Sequence, residues 1–159
     1  SLEDIRKAKE YLNLAKEQLK ERKQQFDEQI RIGIMIEIPA IALIADLAAE
    51  EVDFASIGSN DLTQYLSAAD RMNPEVAAYY KSDSTAMLRL LGFVFREFSK
   101  REKEISVCGE MAGNPETAQL LVGLGARKLS MSSGNIAGVK AKLAECTLQE
   151  LTALAEKKL

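Results

Sequence analysis

The chain has 159 residues, which suffice for one domain with a hydrophobic core, and its 47% apolar and 28% charged residues are ordinary for a globular protein. A net charge of −3 argues against a broad basic surface for nucleic acid or an anionic membrane. No apolar run approaches the roughly 20 residues that span a bilayer. The first residues, Ser1–Asp4, are typical of a helix start, and a signal peptide is not expected there.

Two residue types limit the chemistry that this chain can carry out. The two cysteines, Cys108 and Cys146, are too few for a disulfide framework, so a reducing, cytoplasmic compartment is expected. The chain contains no histidine, which removes the usual general base, the usual metal-binding imidazole and any phosphohistidine acceptor. Catalysis would therefore depend on carboxylates, cysteine, arginine and backbone groups.

The chain begins with a long amphipathic segment. Residues 1–30 are predicted to form a leading helix, because apolar residues from Ile5 to Ile30 recur at helical spacing. Glu3 and Asp4 lie in its first turn, where the helix dipole favours negative charge.

Residues 31–159 are predicted to form four successive βα units. The apolar run at 32–36 lacks polar alternation, which predicts a strand buried on both faces, and Pro39 precedes a helix over 40–51. Later strands are predicted at 53–57, 105–108 and 128–131, with helices at 84–101, 115–124, from about 135, and at 148–157. This order predicts one α/β domain, residues 1–159, with a parallel sheet, either doubly wound or part of a barrel.

Polar residues follow each of the four predicted strands. Parallel α/β folds build their active sites at the carboxyl ends of the strands, so these residues are candidates for a functional site. In chain order they are Glu37, then Asn60 and Asp61, then Cys108 and Glu110, and finally Ser130, Ser132 and Ser133.

Each of the more reactive candidates has a chemical and a structural interpretation. Glu37 and Asp61 could supply oxygen ligands to Mg²⁺, or each could cap a neighbouring helix. Cys108 could be a proton donor or nucleophile, or a small buried hydrophobic residue. Arg71 could hold a phosphate, or form a salt bridge with Asp70 or with a helix carboxylate.

Four segments, in this order, resemble the phosphoenolpyruvate-utilising enzymes. They are Gly33-Ile-Met-Ile-Glu-Ile-Pro-Ala, Ser56-Ile-Gly-Ser-Asn-Asp-Leu-Thr-Gln-Tyr, Asp70-Arg71 and Val107-Cys-Gly-Glu-Met-Ala-Gly. Tyr65 and the run Leu66-Ser-Ala-Ala-Asp-Arg are more similar to Enzyme I, the phosphoenolpyruvate–protein phosphotransferases, than to the dikinases. The resemblance covers residues 30 to 158 and implies the second half of a TIM (β/α)₈ barrel, with an initial helix and four βα units.

The resemblance also implies roles for individual residues. Glu37 and Asp61 correspond to the two carboxylates that hold Mg²⁺, and Asn60, Asp61 and Arg71 correspond to residues that bind phosphoenolpyruvate. Cys108 corresponds to the acid that protonates the enolate and so yields pyruvate. The implied reaction is a phosphoryl transfer in which metal and arginine neutralise charge on the departing group.

The implied partners lie outside these residues. In the family the phosphoryl acceptor is a histidine on a separate domain, which then serves a histidine-containing carrier protein, and a homodimer is expected. The first half of the barrel supplies further substrate arginines, so phosphotransfer by these 159 residues alone is not expected. Sugar transport and nitrogen-related signalling are both compatible with the sequence.

Three alternatives remain open. The chain could belong to a dikinase-type enzyme, or to a metal-dependent barrel enzyme that acts on another oxoacid. It could also be a non-catalytic half-barrel, in which two copies pair their open sheet edges about a two-fold axis.

Overall fold

The computed structural model describes residues 1–159 as alternating helices and short strands. In chain order the elements are α1 (Leu2–Glu21), β1 (Gly33–Ile36), α2 (Pro39–Ala42), α3 (Ala45–Glu51), β2 (Phe54–Gly58), α4 (Ser59–Ser67), a 3₁₀ turn (Ala77–Tyr79), α5 (Thr85–Lys100), β3 (Glu104–Cys108), α6 (Glu110–Gly113), α7 (Pro115–Leu124), α8 (Ser133–Ala144) and α9 (Leu148–Glu156). The predicted α/β class is confirmed.

The three strands form one parallel sheet in the order β1-β2-β3. Met35 pairs with Ser56, and Ser56 pairs with Ser106, so the strands are aligned residue by residue. Successive side chains of a strand point to opposite faces, and the next row consists of Ile36, Ile57 and Val107, all with 0% exposure. The sheet therefore has one apolar face and one face with small or polar side chains.

Helix α5 supplies much of the core that covers the apolar face. It is capped by Ser84, whose hydroxyl accepts a hydrogen bond from the Met87 amide, and its apolar residues recur at helical spacing. Leu88, Leu91 and Phe98 are completely buried and belong to the same hydrophobic cluster as the apolar row of the sheet. This packing fixes the orientation of the strands and hence of the residues at their ends.

The fourth predicted strand is reduced to a single pair. Residues 128–131 were predicted to form a full strand, but only Leu129 pairs with the sheet, opposite Val107. The Val107 amide donates to the Lys128 carbonyl at 3.0 Å, and the Ser130 amide donates to the Val107 carbonyl at 2.8 Å. The structure thus has three strands and one bridge where four strands were predicted.

The leading helix is shorter than predicted, because it ends at Glu21 and not near residue 30. Lys23 adopts a left-handed backbone conformation with φ of 55°, and the Gln24 amide donates to the Leu19 carbonyl, which closes the helix. The helix predicted over 40–51 is likewise divided into α2 and α3. Apolar spacing predicted the helical residues but not these interruptions.

Strand β1 is buried on one face only, which corrects the prediction that both faces are covered. Met35 is 47% exposed, whereas its neighbour Ile36 is completely buried. The reason is that the helices cover the face of Ile36 and leave the face of Met35 open. None of the helices is long and apolar enough to cross a membrane.

Candidate functional site

The ends of the three strands align Glu37, Gly58 and Cys108 in one row. Gly58 pairs with Cys108, and Glu37 follows Ile36, which pairs with Ile57. A Cβ atom placed on Gly58 would lie 3.0 Å from both Cβ and Oε2 of Glu37. The Glu37 side chain therefore lies against the β2 backbone, and its position depends on the absence of a side chain at residue 58.

Asn60 and Asp61 lie in the first turn of α4, which begins directly after β2. The cap residue of this helix is Gly58, without a side-chain cap, so the helix-capping interpretation of Asp61 is not observed. Instead, Asp61 Oδ1 lies 3.2 Å from Arg71 Nη1. The structure thus brings Arg71 to the strand ends, although it lies in the long connection that follows α4.

The structure shows Arg71 in a salt bridge with a helix carboxylate, Asp61, which was one of its two predicted salt-bridge partners. Asp70 does not pair with Arg71; its Oδ1 atom accepts a hydrogen bond from the Met72 amide at 2.9 Å. Both side chains of the Asp61–Arg71 pair are more than one-third exposed, so the pair contributes little to stability. Both groups are consequently accessible to a ligand.

Two hydrogen bonds tie the chain after β2 to the chain after β3. The Ser59 hydroxyl donates to the Cys108 carbonyl at 2.7 Å, and the Glu110 amide donates to Asn60 Oδ1 at 3.0 Å. Because an N–H group can only donate, its partner on Asn60 must be the carboxamide oxygen. The Asn60 NH₂ group then remains available to donate to a ligand.

Gly109 allows this close approach. Its φ is +101°, a conformation that side chains disfavour, and an added Cβ would lie 2.5 Å from Ser59 Oγ and 2.8 Å from Asn60 Oδ1. Any other residue at position 109 would push the two loops apart.

The Cys108 thiol lies on the open face of the sheet. It donates to the Ile57 carbonyl with an Sγ–O distance of 3.4 Å, and the Ser56 hydroxyl lies 3.8 Å from Sγ. Cys108 and Ser56 line an open cleft of about 610 Å³, together with Met35 and Ser106. Cys108 is therefore half-buried beside a cleft. The alternative interpretation, in which it is a small residue of the hydrophobic core, is not observed.

The remaining candidates contribute less. Glu110 supplies its backbone amide, and its side chain is exposed. Ser132 and Ser133, at the start of α8, are exposed and form no side-chain hydrogen bond with the other candidates. Cys146 lies among the C-terminal helices, where its Sγ atom is 3.4 Å from Gln119 Nε2. Both cysteines are free.

No group of three or more histidine, cysteine, aspartate or glutamate side chains is arranged to hold a metal ion. A cation site here would consist of the carboxylates of Glu37 and Asp61, a ligand set that suits Mg²⁺, which keeps several water or substrate oxygens. The Glu37 carboxylate accepts no hydrogen bond from the protein, and Asp61 is paired only with Arg71. The free Glu37 carboxylate is compatible with such a site.

Tyr80 is a member of the site that the sequence analysis missed. Its hydroxyl donates to the Asn60 carbonyl at 3.2 Å, across 20 positions of the chain. Burial raises the pKa of Tyr80, the negative charge of Glu110 raises it further, and Arg71 opposes the shift. The phenol therefore stays protonated at neutral pH and remains a donor.

Carboxylates, a carboxamide and a thiol at the strand ends, with a guanidinium beside them, define an α/β domain with a polar candidate site at the edge of its parallel sheet. Comparison with known families gives a specific assignment. Residues 1–148 match the family model described as PEP-utilising enzyme, PEP-binding domain. The chain belongs to this family, as the four sequence segments predicted.

Curated relatives agree with this assignment. The chain is 45% identical over 150 residues to multiphosphoryl transfer protein 2 of Escherichia coli (strain K12), which covers 94% of this chain and 18% of that protein. It is 40% identical over 157 residues to the phosphoenolpyruvate-protein phosphotransferase of Bacillus subtilis (strain 168), covering 99% and 28%. The enzyme of the same name from Priestia megaterium is 40% identical over 151 residues, covering 95% and 26%. The chain thus spans 18–28% of the length of these relatives.

Proposed function

We propose that this chain provides part of the phosphoenolpyruvate site of a phosphoenolpyruvate–protein phosphotransferase. The main support is that Glu37, Asp61 and Cys108 lie at the ends of three hydrogen-bonded parallel strands, with Arg71 beside Asp61. The names of the relatives favour a phosphotransferase over a dikinase.

In this proposal Glu37 and Asp61 hold Mg²⁺. When bound, the ion supplies positive charge that offsets the charge developing on the departing phosphoryl group. The Glu37 carboxylate has no competing protein partner, whereas Asp61 is shared with Arg71. A cation held there would share the Asp61 carboxylate with the Arg71 guanidinium, which lies 3.2 Å from it.

Arg71 and Asn60 bind the substrate. The Arg71 guanidinium can donate two parallel hydrogen bonds to the phosphate, and the Asn60 NH₂ group, oriented by the Glu110 amide, donates a further one. These groups are placed before the substrate arrives, so little reorganisation opposes the reaction.

Cys108 completes the reaction as a general acid. Departure of the phosphoryl group leaves the enolate of pyruvate, whose methylene carbon takes the proton from the Cys108 thiol. The resulting thiolate regains a proton from solvent through the open cleft. The phosphoryl group passes to a histidine outside these residues, since the chain contains none.

Calorimetric titration of the chain with phosphoenolpyruvate in the presence of Mg²⁺ tests this proposal. We expect saturable binding that requires Mg²⁺ and is lost in Glu37→Ala. Glu10→Ala removes an exposed carboxylate from α1 and serves as the matched control, with binding unchanged. A folded chain that binds nothing, or binding that survives Glu37→Ala, would contradict the proposed site.

A second candidate function is self-association without catalysis. Strand β1 lies at the edge of the sheet, and the nearby side chains of Met35 and Ile38 are 47% and 41% exposed. An unpaired edge with apolar neighbours is suited to pairing with another copy. Sedimentation velocity at micromolar concentration distinguishes the two cases, because a strictly monomeric chain eliminates the pairing.

A further inference from the structure

The connection between α4 and α5 has few attachments to the rest of the molecule. Within residues 70–81, only Val76 and Tyr80 are partly buried, and the others are exposed. This connection carries Arg71, whose guanidinium must lie at a defined distance from the strand ends to act there. An exposed segment of this kind requires an anchor if it is to place a side chain reproducibly.

Tyr80 provides a partly buried attachment of this segment. Its hydroxyl donates to the Asn60 carbonyl, and Asn60 in turn accepts the Glu110 amide through its carboxamide oxygen. The connection is thereby joined to both loops that carry candidate site residues. At its other end the Arg71 amide donates to Gln64 Oε1 at 3.2 Å, so Arg71 and Tyr80 fix opposite ends of the segment.

We propose that Tyr80 is a positioning residue of this site: its hydroxyl anchors the connection that carries Arg71 to the Asn60 carbonyl and keeps the guanidinium over the strand ends. The consequence for ligand binding rests on the proposed function, whereas the anchoring itself does not. Tyr80 positions Arg71 by its hydrogen bond to the Asn60 carbonyl and takes no part in the chemistry.

The neighbouring residue offers a matched control. Tyr79 is the last residue of the 3₁₀ turn that directly precedes Tyr80, is 70% exposed, and its hydroxyl forms no hydrogen bond with the protein. Tyr79→Phe and Tyr80→Phe each remove one hydroxyl and keep the ring. Any difference between the two variants therefore reports the contacts of the Tyr80 hydroxyl, with the Asn60 carbonyl and with the Arg71 side chain.

The first measurement is amide hydrogen exchange in the ligand-free chain. Loss of one hydrogen bond should speed exchange at the Arg71 and Glu110 amides about 2- to 10-fold in Tyr80→Phe, and leave it unchanged in Tyr79→Phe. Equal exchange in the two variants would overturn the anchoring role, whether or not the chain binds phosphoenolpyruvate.

The second measurement is a double-mutant cycle on phosphoenolpyruvate affinity in the presence of Mg²⁺. Tyr80→Phe should weaken binding about 2- to 10-fold in the native background. It should have no effect in the Arg71→Ala background, because the anchor acts through Arg71. A general structural defect would persist in both backgrounds and would overturn positioning through Arg71. Absence of binding by the native chain would instead count against the proposed function, while the exchange measurement still decides the anchoring.

Discussion

The two faces of the sheet differ in what they contribute. The helix-covered face presents Ile36, Ile57 and Val107, which are completely buried against α5 and its neighbours. The open face presents Met35 and small hydroxyl side chains, which line a cleft that leads to Cys108. Residues that stabilise the fold and residues that lie at the candidate site therefore alternate along the same strands.

This alternation makes the two properties separable by mutation. Val107 and Cys108 are adjacent in sequence, yet the first is in the core and the second lies beside the cleft. A shift of one residue in strand pairing would exchange the two faces, so the register that completes the core also determines which side chains face the cleft.

The largest expected effect comes from the covered face. Phe98→Ala removes a completely buried ring from α5 and should lower the free energy of unfolding by about 3–5 kcal/mol. Ser106→Ala, on the open face, should change it by no more than about 0.5 kcal/mol. Urea denaturation of both variants measures the contrast, and similar losses would mean that the two faces are not distinct.

An effect on chemistry without an effect on stability is expected at Cys108. In a complete phosphotransferase that contains this chain, Cys108→Ala should slow pyruvate formation about 100- to 10,000-fold, because general acid catalysis is lost. Mg²⁺ affinity and the urea midpoint should stay at native values. A parallel loss of metal binding would show that the thiol is not a dedicated proton donor.

A smaller effect is expected at Gly58, where the two strands approach closely. A methyl group on residue 58 would lie 3.0 Å from Glu37, so Gly58→Ala must displace the carboxylate. Overpacking of this kind costs about 1–3 kcal/mol, and we expect phosphoenolpyruvate binding with Mg²⁺ to weaken about tenfold. Gly138→Ala, with no atom within 4 Å of the new methyl, is the control and should bind normally. Unchanged affinity in Gly58→Ala would mean that the position of Glu37 does not affect ligand binding.

The smallest expected effect on stability comes from Glu97, which lies on helix α5. Glu97 lies 2.9 Å from Lys100, 3.1 Å from Arg101 and 3.4 Å from Arg96. The hydrogen bond from Lys100, with those from Arg101 and Arg96, lowers the pKa of Glu97 despite its burial.

Because the folded pKa lies below the unfolded value of about 4.3, the stabilisation by Glu97 is present above that pH and is lost as pH falls through the folded pKa. Glu97→Gln should therefore unfold at lower urea concentration than the native chain at pH 7, with the two midpoints converging in acid. A difference that persists in acid would assign the effect to packing.

Local signals in the sequence predicted the regular elements well. Helix α7 has the predicted bounds, and α5 differs from its prediction by one residue at each end, because capping and apolar spacing depend on nearby residues. The predicted end of α1 and the predicted full fourth strand were wrong. The left-handed conformation of Lys23 and the single pair between Val107 and Leu129 follow from tertiary packing, which local sequence signals do not report.

The candidate site shows the same limit. The position of Glu37, Asn60, Asp61 and Cys108 after successive strands could be read from the sequence, and their proposed roles remain predictions. The contacts of Arg71, Gly58 and Tyr80 could not, because each depends on a residue in another segment of the chain. The one available signal was Gly58, a glycine at a strand end, which indicates a close approach by another part of the chain.

The row formed by Glu37, Gly58 and Cys108 also sets the distance between the two side chains at its ends. Neighbouring strands lie about 4.8 Å apart, so the backbone positions that carry Glu37 and Cys108 are separated by roughly 10 Å. Side-chain length then adjusts the gap in steps of one carbon atom, and Glu37→Asp would widen it by a single methylene. In the proposed site, a change at residue 37 would therefore alter the room for a ligand while the sheet that supports the site stays the same.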